Sequence, residues 1–199
     1  MKMKHVLFGA FAGVVLAAGA ALAQAAPDAA PAAPGRPDVK TVGDWFVRCF
    51  PVQSPSPCDI FQEGDTPQTR QRVLSVSVAY VPSLDRHALQ VSVPLEIAIP
   101  KGLTITANGY SSPVLKYRRC DRNGCYVEMA VDNAMIEALG KSGDTAKINI
   151  VADNGKKYAL NLSLKGFAAA HDDMVTQARA KAKSVAKPDP AAAAPATTP

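Results

Sequence analysis

From Val42 onward the apolar residues recur mostly at every second position, the spacing of strands that bury one face. Leu74, Val76, Val78 and Tyr80 alternate with Ser75, Ser77 and Ala79. Leu89, Val91, Val93, Leu95, Ile97 and Ile99 keep the rhythm over a longer run, in which Pro94 predicts a bulge or an edge position because proline cannot donate to a sheet ladder. Pro100-Lys101-Gly102 has the composition of a turn and Leu103 and Ile105 resume the alternation behind it, so a hairpin is predicted there. Two more hairpins are expected where Asn-Gly steps supply the positive φ values of tight turns. One joins residues 114–120 to 125–131 through Asn123-Gly124, and the other joins 148–150 to 158–164 through Asn154-Gly155.

Helical spacing interrupts the strands once. Asp132 or Asn133 can cap a helix in which Met135, Ile136 and Leu139 share a face, and the stretch from Gly140 to Gly143 ends it. A second helix is predicted over about residues 167–183, where Ala168 to Ala170 favour helix but have little to bury. Its later half, residues 178–183, reads as a frayed, solvated face. Six to nine short strands with an inserted helix predict an all-β fold: a mainly antiparallel sandwich or partly open barrel with one or two short helices.

The ends follow other rules. Lys2 and Lys4 precede an apolar stretch from Val6 to Leu22, and Ala21-Leu22-Ala23 supplies a small-x-small cleavage pattern, so residues 1–23 read as a secretory signal. Residues 24–37 form an Ala/Pro-rich linker, and residues 175–199 are expected to be a disordered tail, basic first and Ala/Pro-rich at its end. Residues 38–174 remain as one disulfide-stapled domain. The expected location is outside the cytoplasm: periplasm, outer envelope or the medium.

That trimming alters the charge picture. The chain carries +5, yet residues 38–174 hold 15 Lys/Arg and 15 Asp/Glu. The excess lies on the ends, as in Arg179, Lys181, Lys183 and Lys187, so no nucleic-acid partner is expected. The basic C-terminal stretch suits peripheral association with an anionic envelope surface.

Cys49, Cys58, Cys120 and Cys125 all fall inside the domain, and in an oxidising compartment they should pair. Of three connectivities, local chemistry favours Cys49 with Cys58, around a proline-rich loop, and Cys120 with Cys125, around Asn123-Gly124. A four-cysteine zinc site fits worse, because its knuckles are normally Cys-x2-4-Cys.

Little else offers chemistry: no catalytic residues, cofactor site or metal site is assigned. His87 lies beside the apparent turn Ser83-Leu84-Asp85-Arg86 and reads as a solvated loop residue. His171-Asp172-Asp173 offers ligand types, but neighbouring helix positions point about 100° apart. Ser111-Ser112-Pro113 reads as a loop without a histidine nearby in sequence, and carboxylates such as Glu96, Glu128 and Glu137 have no spacing that selects a glycosidase pair. Trp45 shares a strand side with Val47 and Cys49 and should sit in the core over the disulfide, the alternative being a sugar-stacking ring. Tyr110, Tyr117 and Tyr126 are candidates for a binding face, with packing the commoner role for strand aromatics.

Three ordered segments resemble the invasion-associated locus B family: Gly43-Asp44-Trp45-x-Val47-x-Cys49, Arg118-Arg119-Cys120-x3-Gly124-Cys125, and Leu162-Ser163-Leu164-Lys165-Gly166-Phe167-x-x-Ala170. The resemblance spans about residues 42–174. It implies an exported protein of Gram-negative cells, linked in pathogens to host-cell entry, with the four cysteines as structural pairs and no catalytic residues to carry over. The function expected is that of a non-enzymatic envelope module with a protein or glycan partner on the host cell or in the envelope. The alternatives are a cell-wall-directed hydrolase and a periplasmic assembly factor.

Overall fold

The computed structural model describes residues 35–66 and 70–186. The signal assigned to residues 1–23, nearly all of the Ala/Pro-rich linker and the Ala/Pro-rich end from residue 188 lie outside the described residues. Eleven strands, more than the six to nine expected, run in chain order: β1 (Asp38–Val42), β2 (Trp45–Cys49), β3 (Cys58–Asp65), β4 (Arg72–Val81), β5 (Arg86–Val93), β6 (Thr104–Ala107), β7 (Tyr110–Ser111), β8 (Arg119–Asp121), β9 (Gly124–Val131), β10 (Thr145–Val151) and β11 (Lys157–Ser163). Helix α1 (Asn133–Lys141) lies between β9 and β10, and helix α2 (Phe167–Ala186) follows β11.

The pairings are antiparallel and build two sheets, one ordered β1-β2-β3-β4-β5-β9-β8 and the other β11-β10-β6-β7. They form an open sandwich around one continuous core, which agrees with the all-β expectation. Period two explains the larger sheet: Leu74, Val76, Val78 and Tyr80 of β4 are buried, and Ser75, Ser77 and Ala79 between them face outward. In α1, Asp132 caps the first turn by accepting from the Met135 amide at 2.9 Å, and Met135, Ile136 and Leu139 turn inward.

The long run from Leu89 to Ile105 is not a hairpin. Strand β5 stops at Val93, before Pro94, and the backbone then crosses to the smaller sheet. Ile97 bridges to Ala152, Ile99–Lys101 form a 3-10 turn, and β6 pairs with β10 and β7. In the crossover only Ile97 of the alternating apolar residues stays buried, while Leu95 and Ile99 are exposed, so the rhythm continues in sequence without a continuous buried face, and the missing proline N–H ends the ladder.

Helix α2 corrects a second expectation. It runs to Ala186 and packs against β1 to β4, with Phe167, Ala170, Met174 and Ala178 as its buried stripe. Alanine has little area to bury, but its small side chain brings the helix axis close to the sheet. Residues 175–186 are therefore part of the fold, not the start of a disordered tail, and Ala178 is fully enclosed, not solvated.

Both disulfides form as expected, Cys49 with Cys58 and Cys120 with Cys125. Each joins residues directly opposite one another in an antiparallel pair, β2 with β3 and β8 with β9. Trp45 is buried on the side of Val47 and Cys49. Its ring meets Phe167 edge-on with centroids 5.2 Å apart, and its Nε1 donates to the Ser163 carbonyl, so a sugar-stacking role is excluded by enclosure.

The segments around Gly43 and Gly166 interlock. The Asp44 amide donates to the Lys165 carbonyl at 3.1 Å, Ser163 Oγ donates to Asp44 Oδ2 at 2.6 Å, and Gln62 bonds both Asp44 and Ser163. Gly43 and Gly166 both have positive φ, and a Cβ at Gly43 would lie 2.4 Å from the Lys165 carbonyl oxygen.

Candidate functional surfaces

Two places gather chemistry. The first is the outer face of the larger sheet. Register sets three rows of side chains across it: Phe46, Phe61, Ser77, Gln90 and Glu128; then Arg48, Asp59, Ala79, Ala88 and Ala130; then Glu63, Ser75, Ser92 and Tyr126 with Arg119. Ser77, Ala79 and Ala88 make a low floor, and a depression of about 370 Å³ lies over it, bordered by Arg118 and Glu128.

Charged walls stand on either side. Arg48 lies over Phe61, its guanidinium carbon 3.7 Å from the ring centre, and grips Asp59 through two hydrogen bonds of 2.9 and 2.6 Å. Ser77 Oγ donates to the same carboxylate at 2.7 Å, so this nearly enclosed charge is fully partnered. Across the floor, Arg119 lies 3.9 Å over Tyr126 and bonds Glu128 and Asp121. The Asn123 amide and then Arg119 hold the Asp121 carboxyl below its usual range. Arg118, well exposed, reaches Glu128 at 4.0 Å.

The second place is a polar cluster where α2 crosses the end of β4 and β5. His87 is not in a solvated loop: β5 begins at Arg86, so His87 is its first inward position and is buried. Its Nε2 lies 2.8 Å from Nε2 of His171, and its Nδ1 lies 3.1 Å from Asn133 Oδ1. His171 Nδ1 faces Asp172 Oδ1 at 3.2 Å. Beside the rings, Tyr80 donates to Asp85 at 2.5 Å and receives two hydrogen bonds from Arg179, which also reaches Asp85 at 3.2 Å. A cavity of about 260 Å³ opens onto this group, lined also by Glu137, Ile136 and Val175.

Burial, and then the neighbouring His171, push the His87 pKa down, which keeps its imidazole neutral. Burial and the Asp85 carboxylate raise Tyr80, while the Tyr80 hydroxyl holds Asp85 down. Arg179, expected on a solvated tail, is tied to the sheet by these bonds.

The other candidates disperse. Tyr126 is on the outer face, whereas Tyr110 and Tyr117 pack against the core, and burial raises Tyr117 to about 12. Ser112 accepts from the Ile105 amide and donates to the Pro113 carbonyl, a structural role. Asp173 points away from His171 to pair with Lys40, and Glu137 pairs with Lys141. Among the described residues no group of three or more His, Cys, Asp or Glu side chains converges as a metal cage. Counting back by twos from Leu89 places His87 on the inward side, and that signal would have found the histidine pair.

Fold and surfaces together define a disulfide-pinned, open antiparallel sandwich whose large sheet is covered on one side by helix α2 and, among the described residues, bare on the other. The family model described as Invasion associated locus B (IalB) protein matches residues 45–175, and the chain belongs to this family. It is 29% identical over 134 residues to invasion protein B homologs of two Brucella abortus strains, 2308 and biovar 1 strain 9-941, covering 67% of this chain and 76% of each relative. The crystal structure of invasion associated protein B from Bartonella henselae superposes with a TM-score of 0.62, covering 71% of this chain and 98% of that one; at 19% identity this likeness concerns the fold.

Proposed function

We propose that the chain is an exported cell-envelope protein that acts as a non-enzymatic binding module, presenting the outer face of the larger sheet to a protein or glycan partner on a host cell or in the envelope. The observation that carries this reading is the pair of arginines placed over aromatic rings at either side of a small-residue floor. Each guanidinium is held by carboxylates before any partner arrives, so little side-chain freedom is lost on binding. Arginine and aromatic side chains are also the residues that most often dominate interface energetics. The relatives' names, which speak of invasion, are consistent with a partner outside the cell.

Correctly oxidised protein should bind host-cell or envelope extracts in a dose-saturable way. The double variant Arg118→Glu/Arg119→Ala should weaken that binding at least tenfold with an unchanged circular dichroism spectrum. Full binding by the folded variant would sink the assignment of this face. Export has its own check, the intact mass of protein recovered from the envelope fraction. A mass starting near Gln24, with no alkyl groups added until reduction, is expected.

A further inference from the structure

The histidine pair poses a question of proton placement. Asp172 offers His171 only acceptor oxygens, so the ring nitrogen facing it, Nδ1, carries hydrogen. Asn133 presents Oδ1 to His87, so that Nδ1 carries hydrogen as well. The remaining ring nitrogens, the two Nε2 atoms, face each other at 2.8 Å. Two ring nitrogens that close need a proton or a metal ion between them.

We propose that His87 and His171 form a site for a divalent transition-metal ion of the Zn²⁺ or Cu²⁺ type, which bridges β5 and α2 through the two Nε2 atoms. Imidazole suits both ions. A tetrahedral zinc holds each imidazole nitrogen at about 2.0–2.1 Å, which sets the two nitrogens about 3.3 Å apart, so the rings need to part by only about 0.5 Å. The outer nitrogens already have the partners that orient metal-bound histidines: a carboxylate for one ring and an amide oxygen for the other.

The cavity supplies the rest. It opens to solvent beside both rings, so water can fill the remaining coordination positions. Asp85 and Glu137 line it together with Arg179, while Lys141 pairs with Glu137 and Asp172 stands beside His171. The ligands come 84 residues apart from a strand and a helix, so an ion here would clamp the C-terminal helix to the sheet.

The test is calorimetric titration of the untagged, metal-stripped full chain with ZnCl₂ at pH 7.5, with His5 common to every sample. One saturable site per chain is expected, and His87→Gln or His171→Gln should each lower the affinity at least tenfold. Asp172→Asn, which leaves both ligands in place, should lower it by about 10- to 100-fold. His171 sits at the cavity edge, so its variant stays informative if the His87 variant fails to fold. As an independent reading, excess Zn²⁺ should raise the thermal midpoint of the wild type and not that of His171→Gln. Absence of saturable binding, or equal affinity in His171→Gln, overturns the proposal. The pair would then be held by a shared proton, or by Asn133 turning its NH₂ group toward His87.

Discussion

The indole nitrogen of Trp45 donates to the carbonyl oxygen of Ser163 at 3.0 Å, across 118 positions of chain. The residues that mark the family in sequence thus meet in space. Gly43-Asp44-Trp45 and Ser163-Leu164-Lys165-Gly166-Phe167 form one joint, whose work is to hold the first hairpin against the root of α2.

Cutting that joint should register in stability. Trp45→Phe keeps a ring against Phe167 but leaves the Ser163 carbonyl with one donor fewer, a loss of about 1–2 kcal/mol. Trp45→Ala also opens a cavity and should cost about 3–5 kcal/mol. Urea unfolding at neutral pH reads both, and equal midpoints for Trp45→Phe and wild type would refute the role given to the hydrogen bond.

Gly43 and Gly109 give a paired comparison. Both have positive φ, but nothing lies within 4 Å of a Cβ at Gly109, whereas one at Gly43 would meet backbone at 2.4 Å. Gly109→Ala should cost only backbone strain, about 1–2 kcal/mol. Gly43→Ala adds a clash that no side chain can yield to, so its loss should exceed about 3 kcal/mol. Thermal melts of the two variants rank them directly.

The disulfides should differ in weight. Replacing Cys49 and Cys58 together by alanine releases the longer loop and also the contact of Cys49 Sγ with Gln177 of α2 at 3.3 Å. A loss of about 2–3 kcal/mol is expected from loop closure. Removing the Cys120–Cys125 bridge, whose separation is 5 and whose first cysteine is exposed, should cost less. A reversed order in denaturant midpoints would count against the loop-closure account.

In chelator-treated protein, His87 should make stability depend on pH. Its folded pKa lies below the unfolded value of about 6.5, so below that pH the unfolded chain takes up a proton that the folded chain refuses. Stability is therefore whole above about pH 6.5 and declines as pH falls from there toward the folded pKa. Tyr80, Asp85, Glu137, His171 and Arg179 share the cavity. Asp85, already held below its ordinary range, stays ionised across this interval, and its own contribution is lost only as pH falls through its still lower folded pKa. Urea midpoints at pH 7.5 and 5.5 should converge in His87→Gln relative to wild type.

Much of this architecture was legible because short-range rules wrote it. The Asp132 cap, the Asn-Gly hairpin between β10 and β11, and both cysteine pairs each depend on residues within about ten positions of one another. The crossover after Val93 was not legible, since alternation records which side is buried and not which sheet is joined. The end of α2 was missed for a related reason: Ala170, Met174 and Ala178 are spaced four apart, but two alanines make a weak hydrophobic signal even where they are fully enclosed. The outer-face rows escaped because Arg48 meets Asp59 and Arg119 meets Glu128 across paired strands, and register is fixed only once strands pair.

Helix α2, the last described element, covers strands supplied by the first third of the domain. A ribosome delivers the chain from its N-terminus, so β1, β2 and β3 emerge long before the helix that shelters their apolar side. Until residues near 178 are released, Trp45, Val47 and Ile60 lack the helix that covers their side of the sheet. The placement of one helix thereby sets a timetable, in which the apolar side of the first strands waits for α2 to be made.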